Sequence, residues 1–168
     1  MLRRYTFAHR SAVDNTLPIS LYSTAFLFHQ AKVGTSGKQL WFSLLDRRSD
    51  NWAEIQGPVT SATIGGQGTV FLVDSKIYLF YAVTADSAIY YNVLDGVTWK
   101  GETKVPLDGI SVAAGAGPSS IFYKEKIHIF YPVNGTTFAV ITLNTSTNTW
   151  GKPTEINLEV NEDGQNTY

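Results

Sequence analysis

Short apolar runs alternate along this chain with brief polar turns, and no stretch keeps apolar residues at the three-and-four spacing of a helix. The runs are filled by Val, Ile, Tyr, Phe and Thr, and the breaks by Gly, Asn, Asp and Ser, the signature of short strands joined by tight turns. Three segments are versions of one another. Gly68–Tyr81 aligns with Pro118–Tyr131, so that Lys76, Ile77, Phe80 and Tyr81 fall on Lys126, Ile127, Phe130 and Tyr131 without a gap. A weaker copy runs from Pro18 to His29 with a shorter turn. Each copy continues through a second apolar run and a polar turn to a tryptophan: Trp52, Trp99 and Trp150. A repeat of roughly fifty residues indicates an array or closed ring of one supersecondary unit.

The pattern predicts strands at Ile19–Ser23, Ala25–Ala31 and Leu40–Leu45 in the first copy, with turns at Gly34–Lys38 and Asp46–Asn51. The second copy gives Thr69–Val73, a tight Asp74-Ser75 turn, Lys76–Val83, Ile89–Leu94, and a fourth strand over Thr98–Thr103. The third gives Ser119–Tyr123, Lys126–Val133, Thr137–Leu143 and a last strand from Trp150. Lys76–Val83 is apolar throughout after its first residue, which predicts burial on both faces. Tyr5–Ala8 could add an edge strand, and 161–168 reads as a flexible tail. One all-β domain is expected over 1–168, with repeats at about 18–67, 68–117 and 118–160.

Two architectures use three four-stranded units, the β-trefoil and a β-propeller-like set of meanders. The local pattern favours the second: a small-residue opening, two strands joined by a tight hairpin, then Asp95-Gly96 and Trp99, or Asn144 and Trp150. It resembles the blades of sugar-binding (lectin) and sialidase-like propellers over residues 18–155, and more faintly kelch blades at Asn144–Trp150. Three blades are too few to close a ring and leave exposed edges. Two chains are therefore expected to combine as a homodimer, or another homo-oligomer, with six blades per dimer. A monomer would favour the trefoil.

Composition narrows the chemistry. The chain has 168 residues, a net charge of −1 and no cysteine, which removes disulfides, thiolate metal sites and thiol nucleophiles. No global basic field recruits nucleic acid. The N-terminal fifty residues are basic (seven Lys/Arg against three Asp/Glu) and the rest acidic. No signal-peptide-length apolar run follows the start, so cytoplasmic synthesis is the default, with release by a non-standard route left open. No window approaches the length of a membrane-spanning helix.

Catalytic inventory looks thin. His9, His29 and His128 are far apart, without acidic neighbours at metal-ligand spacing, so neither a metal nor a cofactor is expected. Glycoside cleavage needs two carboxyl groups across a sugar, and Asp46, Asp74, Asp86 and Asp95 are all explained as turn residues. The sialidase resemblance implies an arginine cluster, yet no arginine follows Arg48. The resemblance to fucose-binding propellers implies an Arg and a Glu on the third strands, which hold neither. The expectation is therefore a non-enzymatic, multivalent lectin-like module that binds glycans or glycoproteins. Its alternative is a protein-interaction or toxin-associated scaffold. The candidate ligand-binding residues are aromatic or amide: Trp41, Trp52, Tyr81, Tyr90, Asn92, Trp99, Tyr131 and Trp150. The competing reading of the three repeated tryptophans is packing between adjacent sheets.

Overall fold

The computed structural model describes residues 14–21, 24–32, 38–46, 51–52 and 56–158; some side chains on the early strands, Trp52 among them, lie outside that description. The Tyr5–Ala8 strand, much of the Gly34–Lys38 and Asp46–Asn51 turns, and the 161–168 tail also fall outside it. The described residues form antiparallel strands and turns with no helix.

Three sheets follow one another. The first holds β1 (Asp14–Leu21), β2 (Thr24–Lys32) and β3 (Lys38–Asp46), with β4 (Asn51–Trp52) and β5 (Gln56–Pro58) both on β3. The second holds β6 (Thr69–Val73), β7 (Lys76–Val83) and β8 (Ala88–Asp95), with β9 (Thr98–Trp99) and β10 (Thr103–Lys104) on β8. The third holds β11 (Ser119–Tyr123), β12 (Lys126–Pro132) and β13 (Thr137–Asn144), with β14 (Thr149–Trp150) and β15 (Thr154–Asn157) on β13. This is the expected meander, one sheet per repeat, and it is propeller-like rather than a trefoil.

The outermost strand departs from expectation by breaking in two in the second and third sheets. In the second sheet the break is at Gly101, whose φ of 101° few side chains tolerate. There Lys100 N donates to Val93 O at 2.9 Å, and Gly101 N to the Asn92 side-chain oxygen at 3.0 Å. In the third sheet Gly151 N donates to Thr142 O at 2.8 Å, and Pro153, lacking an N–H, follows before pairing resumes at Thr154. The inner hairpins turn at Asp74-Ser75 (φ 49° and 61°) and Lys124-Glu125 (φ 48° and 62°). Two consecutive left-handed residues match the twist of a two-residue hairpin.

Strand alternation divides the core. On β7, Ile77, Leu79, Tyr81 and Val83 pack against Phe26, Phe28 and Leu40 of the first sheet. Tyr78, Phe80 and Ala82 point the other way, onto Ile127, Ile129 and Tyr131 of the third. The middle sheet is thus buried on both faces, each fully buried Leu, Ile or Phe contributing about 1.5–3 kcal/mol. The linkers are part of this core. Ile64 N donates to Lys38 O and Gly65 N to Ala82 O, while Val112 N donates to Ser87 O and Ala113 N to Pro132 O. Ile64 and Val112, both buried, so perform the same task between successive sheets.

The innermost strands lie side by side, β6 packing against both β1 and β11. Their approaches cross closely. Gly66 N donates to Ala116 O at 3.0 Å, the Gln30 side-chain amide donates to Gly66 O at 2.9 Å, and the Thr69 and Ser120 hydroxyls share a 2.9 Å hydrogen bond. A Cβ on Gly66 would lie 2.5 Å from Gly117 N, and one on Gly117 would overlap the Gln67 carbonyl.

Candidate functional site

Tyr81 and Tyr90 are register partners on β7 and β8, at the end of the middle sheet where the 84–87 turn and the 59–66 linker meet. Their rings stack with centroids 6.5 Å apart. Lys104, on β10, is in register with Tyr90, so the alternation of the outer strand sends Lys104 and Glu102 to this same face.

The polar atoms here are mutually engaged. The Tyr81 hydroxyl donates to Glu102 Oε1 at 2.7 Å. Ser61 N donates to Glu102 Oε1 and Oε2 at 3.2 and 3.1 Å, and the Ser61 hydroxyl donates to Oε2. The Tyr90 hydroxyl donates to Asp86 Oδ2 at 3.0 Å, and Lys104 Nζ reaches the same oxygen at 2.7 Å while lying 5.8 Å from the Tyr90 ring centre. Burial, then the hydrogen bond to Glu102 and its charge, push the Tyr81 hydroxyl well above the usual phenol range. The hydrogen bond to Asp86, then burial, raises Tyr90. Burial pushes the Asp86 carboxyl up, but the hydrogen bonds from Lys104 and Tyr90, with the Lys104 charge, outweigh it and hold the group below its ordinary value. The outcome is two carboxylates, one ammonium group and a half-buried aromatic ring on a rigid sheet end.

The other sequence-predicted residues are spread through the fold. Asn92 is buried; its side-chain oxygen accepts from Val93 N and Gly101 N, and its amide donates to Val59 O at 3.4 Å. Trp99 meets Phe28 and Phe42 of the first sheet edge-on, at 5.9 and 6.0 Å between ring centres. Trp150 meets Tyr91 of the second sheet in the same way at 5.4 Å. Trp41 lies opposite His29 on the first sheet. Trp52 pairs with Leu45, the backbone position matched by Trp99 on Leu94 and Trp150 on Leu143. Tyr131 is fully buried, and its hydroxyl has no hydrogen-bond partner. Burial, with the charges of Glu155 and Asp108, raises it to about 12.

Sequence reasoning passed over Glu102 and Lys104 and assigned Asp86 to turn chemistry alone. The available signal was divergence between copies: Glu102-Thr103-Lys104 corresponds to Pro153-Thr154-Glu155 after the shared tryptophan.

No protein-family model and no curated protein matches the sequence. Solved structures do share its fold. They include Zg3597, a family 117 glycoside hydrolase from Zobellia galactanivorans (TM-score 0.62, 13% identity, 94% of this chain and 51% of that one). They include the α-L-arabinofuranosidase PaAbf62A from Podospora anserina, solved with cellotriose (0.60, 12%, 96% and 64%). The NanB sialidase from Streptococcus pneumoniae also matches (0.56, 20%, 83% and 23%). The fold is all-β and propeller-like, shared with carbohydrate-active enzymes. The chain spans about half to two-thirds of the first two structures' lengths.

These neighbours overturn two expectations from the sequence. A non-catalytic lectin-like module, and the absence of enzymatic activity, were inferred from scattered turn aspartates and missing arginines. The structural relatives are catalysts instead. Folding also gathers Asp86 and Glu102 at one sheet end, so linear dispersal was a poor guide to inventory. Among the described residues, no helix is long and apolar enough to cross a membrane.

Proposed function

We propose that this chain is part of a carbohydrate-processing enzyme, with glycan engaged at the sheet end that carries Tyr81, Tyr90, Asp86, Glu102 and Lys104. The single observation behind this reading is a stacked pair of tyrosines whose hydroxyls each donate to a carboxylate, buried Tyr81 to Glu102 and half-buried Tyr90 to Asp86, in a fold whose solved relatives include a glycoside hydrolase. A sugar's apolar face stacks on an aromatic ring, and its hydroxyls take hydrogen bonds from the surrounding charged groups. Cleavage of a glycosidic bond commonly uses two carboxyl groups, one delivering a proton to the leaving oxygen. Glu102 and Asp86 supply that pair, Tyr90 the platform and Lys104 a hydroxyl contact. The chain spans only part of the length of these structural relatives, and a homo-oligomer that brings further sheets beside these three is part of this reading.

The test is turnover on a panel of aryl glycosides and plant and algal polysaccharides, read as released reducing ends and as unsaturated products. Glu102→Gln and Asp86→Asn are each expected to lower kcat/KM by about 10²–10⁴, the usual worth of a positioned acid or base. Full activity in both folded variants, or a folded wild type inert across the panel, overturns the assignment.

A further inference from the structure

Two asparagines of the third sheet are held in the same way and differ in the residue that follows them. Asn144 opens the turn between β13 and β14, and its side-chain oxygen accepts from Ser146 N at 3.0 Å and Thr147 N at 3.2 Å. Asn134 opens the turn between β12 and β13. Its side-chain oxygen accepts from Thr136 N and Thr137 N, both at 2.9 Å, and from the Thr136 hydroxyl at 3.3 Å. An asparagine bonded to the backbone two and three residues on is an ordinary turn device.

The next amide separates the two. Thr145 follows Asn144, and its β-branched side chain is stiff and crowds its own backbone nitrogen. Gly135 follows Asn134, the one Asn-Gly pair in the chain, and carries no side chain to hinder its nitrogen. Asn134, Gly135 and Thr136 are all exposed. A Cβ on Gly135 would meet nothing within 4 Å. Val133 N and Asn134 N both donate to Thr137 O, at 2.9 and 3.3 Å, whereas Gly135 N donates to nothing among the described residues.

We propose that Asn134 is a self-modification site, at which the Gly135 nitrogen attacks the Asn134 side-chain carbonyl carbon and the residue becomes aspartate or isoaspartate. The Gly135 amide gives its proton to hydroxide, and the new C–N bond pushes an electron pair onto the Asn134 side-chain oxygen. Thr136 N, Thr137 N and the Thr136 hydroxyl already point at that oxygen. Donors fixed where charge develops lower the barrier. The side-chain nitrogen then takes a proton from water and leaves as ammonia, closing a five-membered imide. Water adds to one of the two imide carbonyls. Breaking the new C–N bond gives aspartate, and breaking the original peptide C–N bond gives isoaspartate. The net change is amide plus water to acid plus ammonia, with no oxidation or reduction.

Isoaspartate adds one carbon to the backbone of a turn that also anchors the outer strand. Leu158 N donates to Thr136 O at 2.8 Å, and the Thr137 hydroxyl to the Asn157 side-chain oxygen at 3.0 Å. Conversion therefore loosens β15 and adds a negative charge beside it. The reaction needs no glycan, so its test stands apart from turnover.

Folded wild type held at mildly alkaline pH for several days is digested and mapped by mass spectrometry. Asn134 is expected to convert at least tenfold faster than Asn144 in the same digest. Gly135→Ala is expected to slow that conversion at least tenfold, and Thr136→Ala severalfold, both with the circular dichroism spectrum kept. Asn134 intact in the folded wild type, Asn144 converting as fast, or a rate unchanged in either variant overturns the proposal. Deuterium uptake at Thr154–Asn157 is expected to rise in the converted protein, and unchanged uptake overturns the loosening of β15.

Discussion

Tyr81 and Tyr131 show how one repeated residue takes on two energetic roles. Both are fully buried at equivalent positions, but Glu102 and Ser61 meet the first hydroxyl environment while Pro153 stands where the second would find its carboxylate. A hydrogen bond to a charged group contributes roughly 1.5–3 kcal/mol, whereas an unpaired buried hydroxyl carries only its desolvation penalty. Tyr81→Phe is therefore expected to lower unfolding free energy by about 1–2 kcal/mol in urea denaturation. Tyr131→Phe is expected to be neutral or stabilising, and a clear loss in that variant contradicts the unpartnered hydroxyl. This difference was illegible in the sequence. The repeat aligned Tyr81 with Tyr131, but the partner that separates them lies twenty-one residues further on, across a break in the outer strand.

Strands and turns were far more legible than side-chain partnerships. Thr69–Val73, Lys76–Val83 and Ser119–Tyr123 form as read, because apolar alternation, β-branched residues and two-residue turns all agree there. The outer strands were misread as continuous, since Gly101 and Gly151 signal a break that apolar patterning alone does not show. The linkers, which carry no strand pattern, contribute Ile64 and Val112 to the core. Their glycines are needed for close approach. Gly66→Ala sets a methyl 2.5 Å from Gly117 N and 2.6 Å from the Ala116 carbonyl carbon, atoms of a backbone with no side-chain freedom to yield. A loss of about 1–3 kcal/mol is expected from such overpacking. Gly135→Ala meets nothing within 4 Å and is expected to stay within about 0.5 kcal/mol. Equal melting temperatures for the two variants would contradict the crossing.

For the whole molecule, the sequence predicted a propeller-like array of three sheets but missed the cluster at the end of the middle one, because Asp86, Glu102 and Tyr90 come together only after the 84–87 turn and β10 converge there. The arrangement also ranks the three sheets in time. β7 is hydrogen-bonded along both edges and packed on both faces, so its amides have no local route to solvent. β15, exposed along its whole length and paired on one side, can detach without disturbing either core. Deuterium uptake at Ile77–Ala82 is expected to follow global unfolding, while Thr154–Asn157 exchanges orders of magnitude sooner. Wear on these three sheets would then begin at β15, and the middle sheet would be the last of them to record it.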